Sequence, residues 1–110
     1  MALTIYKKWD VVSVDLNPTK GSEINKIRPC LIVSPNSINT YMNTIVVVPF
    51  TSKLKVYPFR IATNHKNIIG ELCFDHIKSL HKSRILKIDG TIDKNIRRDI
   101  NNLLFEFFSE

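Results

Sequence analysis

The sequence lacks several features that mark common functional classes. Its longest apolar run, residues 45–50, has the length of a strand and falls far short of the roughly 20 residues of a membrane-spanning helix. It has no glycine-rich phosphate loop, which excludes nucleotide hydrolysis of the P-loop type. The first residues, MALTIYKKWD, lack the basic-then-apolar order of a secretory signal peptide. We therefore expect a cytoplasmic protein without a membrane partner.

Cysteine and histidine are scarce and poorly spaced for metal binding. No CxxC, HxxxH or HExxH pattern occurs, and the pair His76 and His81 has no third ligand nearby. Cys30 and Cys73 lie in apolar runs, where we expect reduced thiols packed as small apolar side chains. A nucleophile elbow is also lacking. The sequence therefore predicts no metal site and no cofactor.

Acidic residues are outnumbered by basic ones, 10 to 16, which gives a net charge of +6. This balance favours a polyanionic partner such as RNA, DNA or an acidic peptide, although many proteins without such a partner are equally basic. With 110 residues, 44% of them hydrophobic, the chain has the size of one domain covering residues 1–110. A core this small gains much from a partner subunit.

Alternating hydrophobicity predicts a run of short strands and then one helix. The predicted strands cover residues 10–16, 28–34, 44–49, 57–62, 70–74 and 85–88. The connection at 35–43 is predicted to be irregular, and Asp89-Gly90 to be a turn after the last strand. From Asp93, a suitable N-cap, apolar residues recur at helical spacing. Together these elements predict a small, curled antiparallel barrel with a C-terminal helix.

Two aromatic residues lie off the apolar stripe of the predicted helix. They are Phe105 and Phe108. A helix that is apolar on more than one face usually packs against more than one surface. The second surface is either another subunit or a further part of the same barrel.

Polar residues cluster at the predicted strand ends. Glu23 and Arg28 flank the first loop, and Thr51 follows the third strand. Antiparallel pairing across residues 35–43 would bring Arg28 near Thr51, and a guanidinium beside a hydroxyl suits a phosphodiester. The alternative is a solvated strand-end arginine and an ordinary turn threonine.

Four segments of the chain carry a family resemblance. In chain order they are WDVVSVDLNPTKGSEINKIRPCLIVSP, VVVPFTS, YPFRI and GELCFDHIKSLHKSRILKIDGTI. In these motifs and their spacing the chain resembles the MazF/PemK family of toxin endoribonucleases, from about residue 10 to the terminal helix. The resemblance implies an SH3-like β-barrel of the CcdB/PemK/MazF kind that works as a homodimer. It also implies metal-independent, sequence-specific cleavage of single-stranded RNA, and an antitoxin whose acidic C-terminal segment enters the RNA groove.

The resemblance also assigns roles to individual residues. It places the catalytic pair on Arg28 and Thr51, makes Glu23 a supporting residue, and makes the loop between the first two strands a gate. His76 stands where the family often has glutamine, so it is either a proton-transfer group or a surface histidine. Trp9 stands where glycine is common, and we expect it to be structural. The predicted RNA-binding residues are Lys20, Lys26, Ser52, Lys53, Lys55, Tyr57 and Arg60.

The mechanism that the resemblance implies is attack by the ribose 2′-OH on the adjacent phosphorus. It leaves a 2′,3′-cyclic phosphate and a 5′-OH. The general base is open among Glu23, His76 and Arg28. Two other functions stay open: a CcdB-like toxin that binds gyrase without nuclease activity, and a catalytically silent nucleic-acid-binding barrel.

Overall fold

The structure is a computed structural model that describes residues 4–18, 21 and 26–109. In this part of the chain a sheet of seven strands is accompanied by two α-helices. In chain order the elements are β1 (Asp10–Asp15), β2 (Ile27–Ile32), α1 (Asn36–Tyr41), β3 (Thr44–Thr51), β4 (Arg60–His65), β5 (Ile68–Cys73), β6 (Lys78–His81), β7 (Ile85–Thr91) and α2 (Arg97–Ser109). Short 3₁₀ turns occupy Phe74–His76, Lys82–Arg84 and Lys94–Ile96.

All strand pairs are antiparallel, and the sheet follows the order β4-β5-β3-β2-β1-β7. Strand β3 is shared: its first half pairs with β6 and its last two residues pair with β5, while β2 lies on its other side. The predicted mainly β architecture with a C-terminal helix is confirmed. The strand path is open between β4 and β7 in the described residues, and it is compatible with the predicted SH3-like barrel.

The core has two parts, one on each side of the sheet, because successive side chains of a strand point to opposite sides. The helix side, which α2 covers, contains Val11, Leu31, Val33, Val48, Phe50, Leu72, Phe74, Ile92 and Ile100. The second side contains Val12, Val14, Leu16, Cys30, Ile32, Ile45, Val47, Leu80 and Ile85. Both sides are apolar along most of β3 and in the second half of β2, so these strands form the centre of the fold.

The predicted N-cap Asp93 caps the 3₁₀ turn that leads into α2, which itself begins at Arg97. The Asp93 carboxylate accepts a hydrogen bond from the Asn95 backbone N–H at 2.9 Å, and one 3₁₀ turn leads into the helix. Ile100 is fully buried on the helix side, and Phe107 packs edge-to-face against Phe59 with ring centroids 5.2 Å apart. Phe105 and Phe108 remain exposed. The same barrel therefore does not cover the second apolar face of α2.

Trp9 has a structural position. Its backbone N–H donates to the Ile32 carbonyl, and its own carbonyl accepts from the Ile92 N–H, both at 2.9 Å. The indole packs on the helix-side core, with the Lys8 and Arg97 cations 4.8 and 5.4 Å from its ring centroid. Its φ of 81° lies in the region that favours glycine, which explains why glycine suits this position.

Two elements were not predicted. Residues 36–41 form α1 instead of an irregular connection, because tertiary hydrogen bonds fix them. Buried Asn39 donates to the Ser34 carbonyl at 2.9 Å, and the Ser34 hydroxyl accepts from the Val46 N–H at 3.0 Å. Strand β6 has only four residues, too few for a clear alternation, and pairing with β3 stabilises it.

Two predicted boundaries were wrong. The fourth strand is Arg60–His65 instead of 57–62, because Val56 and Phe59 adopt positive φ angles of 55° and 60° that interrupt an extended chain. Asp89-Gly90 is not a turn: β7 continues through both residues to Thr91. Gly90, with φ 135°, lies beside a register shift in the β1–β7 ladder, so the glycine serves a bulge.

Candidate active site

Arg28 lies near the start of β2 and Thr51 at the end of β3, which is the same end of this antiparallel strand pair. In the β2–β3 ladder Cys30 lies opposite Pro49 and Leu31 opposite Val48, and the same register continued by two residues places Arg28 opposite Thr51. By alternation both point to the second side, away from α2, and both are half-buried. The register, continued past its last observed pair, thus favours the adjacency that the sequence predicts.

The Thr51 hydroxyl is positioned by its own loop. Its Oγ1 accepts a hydrogen bond from the Lys53 backbone N–H at 3.3 Å, so its own hydrogen can be donated outward. On β5, Gly70 lies against the Thr51 backbone: a Cβ at this position would overlap the Thr51 carbonyl oxygen and the Phe50 ring. Glycine therefore allows β5 to approach β3 closely where Thr51 is held.

A buried acidic residue lies across the sheet from Thr51. Glu71 is its partner in the β3–β5 ladder, and only 3% of Glu71 is exposed. Its carboxylate accepts hydrogen bonds from the backbone N–H groups of Lys55 and Val56, both at 2.9 Å, and lies 3.3 Å from Arg60 Nη1. Glu71 thus joins β5, β4 and the loop between β3 and β4 around one carboxylate.

The Arg60 guanidinium also binds a second carboxylate. Its Nε and Nη2 donate to the two oxygens of Asp75 at 3.0 and 2.9 Å, a bidentate geometry. Its Cζ lies 4.8 Å from the Tyr57 ring centroid. The Arg60 side chain is only 7% exposed. This position suits a structural role, in contrast to the direct RNA contact that the sequence predicts for Arg60.

The acidic members of this cluster are held ionised. Burial alone would raise the pKa of Glu71, but the two backbone N–H groups and Arg60 hold that pKa below its usual value. Burial likewise opposes ionisation of Asp75, yet the hydrogen bonds from Arg60 lower its pKa. The hydrogen bond to Asp75 raises the pKa of Arg60 further above its usual value. The cluster therefore carries fixed charges at neutral pH.

These shifts predict how stability depends on pH. Because the folded pKa values of Glu71 and Asp75 are lowered, their contribution is complete above the ordinary values of 4.5 and 3.8 and is lost as the pH falls through the folded values. We expect the free energy of unfolding, measured by urea titration from pH 7 to pH 3, to fall below about pH 4.5. Glu71→Gln should flatten this fall, whereas Glu106→Gln, on the exposed face of α2, should leave it unchanged. Equal slopes in both variants would contradict the assignment.

His76 follows this cluster in a 3₁₀ turn. The residue is half-buried, and its Nε2 lies 3.5 Å from Asp75 Oδ2. Asp75 in turn binds Arg60, which lies 3.3 Å from Glu71. His76 is thus connected to the network beside Thr51, although no contact with Thr51 itself is observed in the described residues.

The predicted RNA-binding residues are distributed over two loops. Ser52, Lys53, Lys55 and Tyr57 are exposed on the loop of residues 52–59, which we call the β3–β4 loop. Lys26 is exposed at the start of β2. Lys20 and Glu23, which are predicted to bind RNA and to support catalysis, lie outside the described residues.

Further basic residues that the sequence analysis did not single out lie on the second side. Lys78 is opposite Val47 in the β3–β6 ladder, and with Arg84 it lines a cleft of about 200 Å³ beside Leu16. Arg84 also donates to the Asp15 carbonyl at 3.2 Å. The cleft lies on the side to which Arg28 and Thr51 point, so it extends the positive surface near them.

The cysteines are buried and free, as predicted. Burial raises the pKa of Cys30 to about 12 and that of Cys73 to about 11, so both thiols are protonated at neutral pH.

Within residues 4–18, 21 and 26–109, no three His, Cys, Asp or Glu side chains come together as metal ligands. In the same residues, neither α1 nor α2 has the length and apolar character to cross a membrane.

Comparison with solved structures identifies relatives of the fold. The structure is similar to a crystal structure of MazF from Deinococcus radiodurans, with a TM-score of 0.84, 24% identity and coverage of 97% of this chain and 99% of that one. It is also similar to a mycobacterial endoribonuclease in complex with its cognate antitoxin, with a TM-score of 0.77, 22% identity and coverage of 96% and 95%.

Sequence comparison finds relatives with higher sequence identity than these two structures. The chain is 35% identical over 71 residues to the endoribonuclease toxin MazF of Escherichia coli, and the match spans 64% of either protein. It is 31% identical over 96 residues to the endoribonuclease MazF9 of Mycobacterium tuberculosis, which covers 78% of this chain and 81% of that one. The family model described as a PemK-like, MazF-like toxin of type II toxin–antitoxin systems matches residues 7–108. The chain therefore belongs to the PemK-like, MazF-like family of type II toxins.

Proposed function

We propose that the protein is the toxin of a type II toxin–antitoxin system and acts as an endoribonuclease on single-stranded RNA. The observation that carries the proposal is the β2–β3 register, which, continued past its last pair of Cys30 with Pro49, puts Arg28 and Thr51 on the second side of the sheet, beside exposed basic loops. The relatives named endoribonuclease support the same activity. We further propose that residues 1–110 form one toxin domain and that it acts in the cytoplasm.

The proposed chemistry is metal-independent transesterification. The ribose 2′-OH attacks the adjacent phosphorus, the bond to the 5′-oxygen breaks, and the products are a 2′,3′-cyclic phosphate and a 5′-OH. Negative charge accumulates on the equatorial phosphate oxygens, where preorganised donors lower the barrier. Arg28 supplies a fork of N–H donors and Thr51 one hydroxyl, which accepts from the Lys53 N–H and keeps its own hydrogen to donate.

The proton transfers require other groups. A guanidinium stays protonated at neutral pH, so we assign charge stabilisation to Arg28. Glu23 and His76 are then the candidates for the general base. Of these, His76 is connected to the site through Asp75, 3.5 Å from its Nε2.

RNA binding is proposed to follow the exposed basic loops. Lys20, Lys26, Lys53 and Lys55 would contact the phosphate backbone, which makes affinity fall as salt rises. Ser52 adds a hydroxyl, and Tyr57 offers one ring face for stacking while Arg60 occupies the other. Sequence specificity would then come from the bases that reach this loop.

Two protein partners are proposed. The first is a second copy of this chain, since α2 leaves Phe105 and Phe108 exposed. The second is a cognate antitoxin with an acidic C-terminal segment, which a positive groove would attract. A mycobacterial relative has been solved in complex with its cognate antitoxin. Competition for one groove would explain inhibition without a separate regulatory site.

The proposal is tested by incubating the purified, antitoxin-free protein with a long natural RNA. We expect discrete fragments that recur at a short sequence motif. A folded protein that cuts no long natural RNA would overturn the proposal. Inhibition of gyrase supercoiling in a parallel assay would then favour the CcdB-like alternative.

A further inference from the structure

Glu71 occupies a position that cleavage chemistry alone does not explain. It lies directly opposite Thr51 in the β3–β5 ladder, so the two side chains share the second side of the sheet. Because its carboxylate is buried, it needs hydrogen bonds that compensate for the lost water. An acidic residue inside the otherwise apolar strand segment GELCF is the sequence signal of such a site.

The compensating donors come from the β3–β4 loop. Two successive backbone N–H groups, of Lys55 and Val56, bind the two carboxylate oxygens at 2.9 Å each. Val56 has a φ of 55°, a region that β-branched residues rarely adopt. Since the Val56 N–H is bound in this conformation, the carboxylate stabilises a loop shape that the residue would otherwise avoid.

The same carboxylate also fixes the far end of the loop. Arg60, 3.3 Å from Glu71, lies against the ring of Tyr57. The near end follows Thr51, the last residue of β3, whose hydroxyl accepts a hydrogen bond from the Lys53 N–H. One buried charge thus holds the loop that begins at a proposed catalytic residue and carries the proposed RNA contacts.

We propose that Glu71 is a positioning residue for RNA cleavage, which presets the β3–β4 loop so that Lys53, Lys55 and Tyr57 face the substrate. It acts through the loop and does not touch the RNA. The inference rests on the proposed endoribonuclease function. Under this inference, Glu71 contributes to the selectivity among RNA sequences although its side chain contacts no base.

The test compares wild type with Glu71→Gln, which keeps the volume but replaces one acceptor oxygen with an amide that faces N–H donors. We expect backbone amide exchange of Lys55 and Val56 to accelerate by about 10-fold or more, as a lost buried hydrogen bond implies. We expect kcat/KM for the preferred RNA to fall by about 10- to 100-fold. The preference for that RNA over singly substituted ones should shrink. Glu106→Gln removes the same charge from an exposed helix position and should change none of these.

A purely structural role for Glu71 predicts a different outcome. The melting temperature of Glu71→Gln would fall, but amide exchange in the loop and RNA selectivity of the folded protein would match wild type, and this overturns the inference. If Glu71→Gln does not fold, Glu71→Asp replaces it: this variant keeps the charge near Arg60 but withdraws the carboxylate from the loop, and the same three changes are expected.

The two levels of the proposal fail differently. If wild type cleaves RNA and Glu71→Gln is equally active and equally selective, only the positioning role is overturned. Wild type that cleaves no RNA overturns the endoribonuclease proposal and the positioning role with it. In that case fast exchange in Glu71→Gln would show only that Glu71 orders the loop.

Discussion

Replacing Arg28 with alanine is expected to lower kcat/KM for RNA cleavage by about 10²- to 10³-fold, the usual cost of removing one preorganised donor to a developing oxyanion. The expected reason is the position of Arg28, which the strand register aligns with Thr51 on one side of the sheet. Single-turnover cleavage of one defined RNA measures the loss. Because Arg28 lies at the edge of β2 and is half-buried, the variant should still fold.

Two further variants make this result specific. Arg28→Lys keeps the positive charge but loses the fork of donors, so its activity should lie between wild type and Arg28→Ala. Arg98→Ala removes an exposed arginine from α2 and should cleave as wild type does. Wild-type rates in folded Arg28→Ala would remove Arg28 from the active site and with it the proposed electrostatic mechanism.

A single 2′-deoxyribose on the 5′ side of the cleaved bond should abolish cutting at that bond, the largest effect that the mechanism predicts. The substitution removes the nucleophile itself, whereas loss of a protein donor only raises the barrier. DNA of the same sequence should stay intact for the same reason. Gel analysis of end-labelled oligonucleotides measures both.

The matched control places the 2′-deoxyribose at a neighbouring nucleotide. That substrate should still be cut, with a change in rate that reflects binding alone. Cutting at the substituted bond would mean that water or a protein group attacks the phosphorus. Such a result would rule out the cyclic phosphate product, but it would not contradict the proposed roles of Arg28 and Thr51 as donors.

The central strands were predictable because their apolar residues follow simple patterns. The alternation in β1 and the apolar run of β3 indicate buried strands, and the antiparallel register of β2 with β3, continued to their ends, puts Arg28 beside Thr51. Helix α1 and strand β6 were not predictable, since contacts distant in sequence fix them. In α1 the buried Asn39 binds Ser34, whose hydroxyl accepts a hydrogen bond from the Val46 N–H of β3, and no periodicity in the sequence reveals this contact.

The site was predictable only in part, for a physical reason. Its basic and hydroxyl residues lie at strand ends, where sequence reasoning expects functional groups. The sequence predicts Arg60 as an RNA contact on the surface. In the folded chain it binds Glu71 of β5 and Asp75 of the turn that follows β5. The buried glutamate within GELCF signals that a partner exists, but only the structure identifies Arg60 and the loop N–H groups as that partner.

The most direct test of the central proposal is RNA cleavage by the wild-type protein in the presence of EDTA, with chemical identification of both new ends. The account predicts full activity, a 2′,3′-cyclic phosphate on the upstream fragment and a 5′-OH on the downstream fragment. Folded Arg28→Ala, assayed beside it, should yield almost none of either. Loss of wild-type cleavage in EDTA, or fragments that end in 3′-OH and 5′-phosphate, would contradict it.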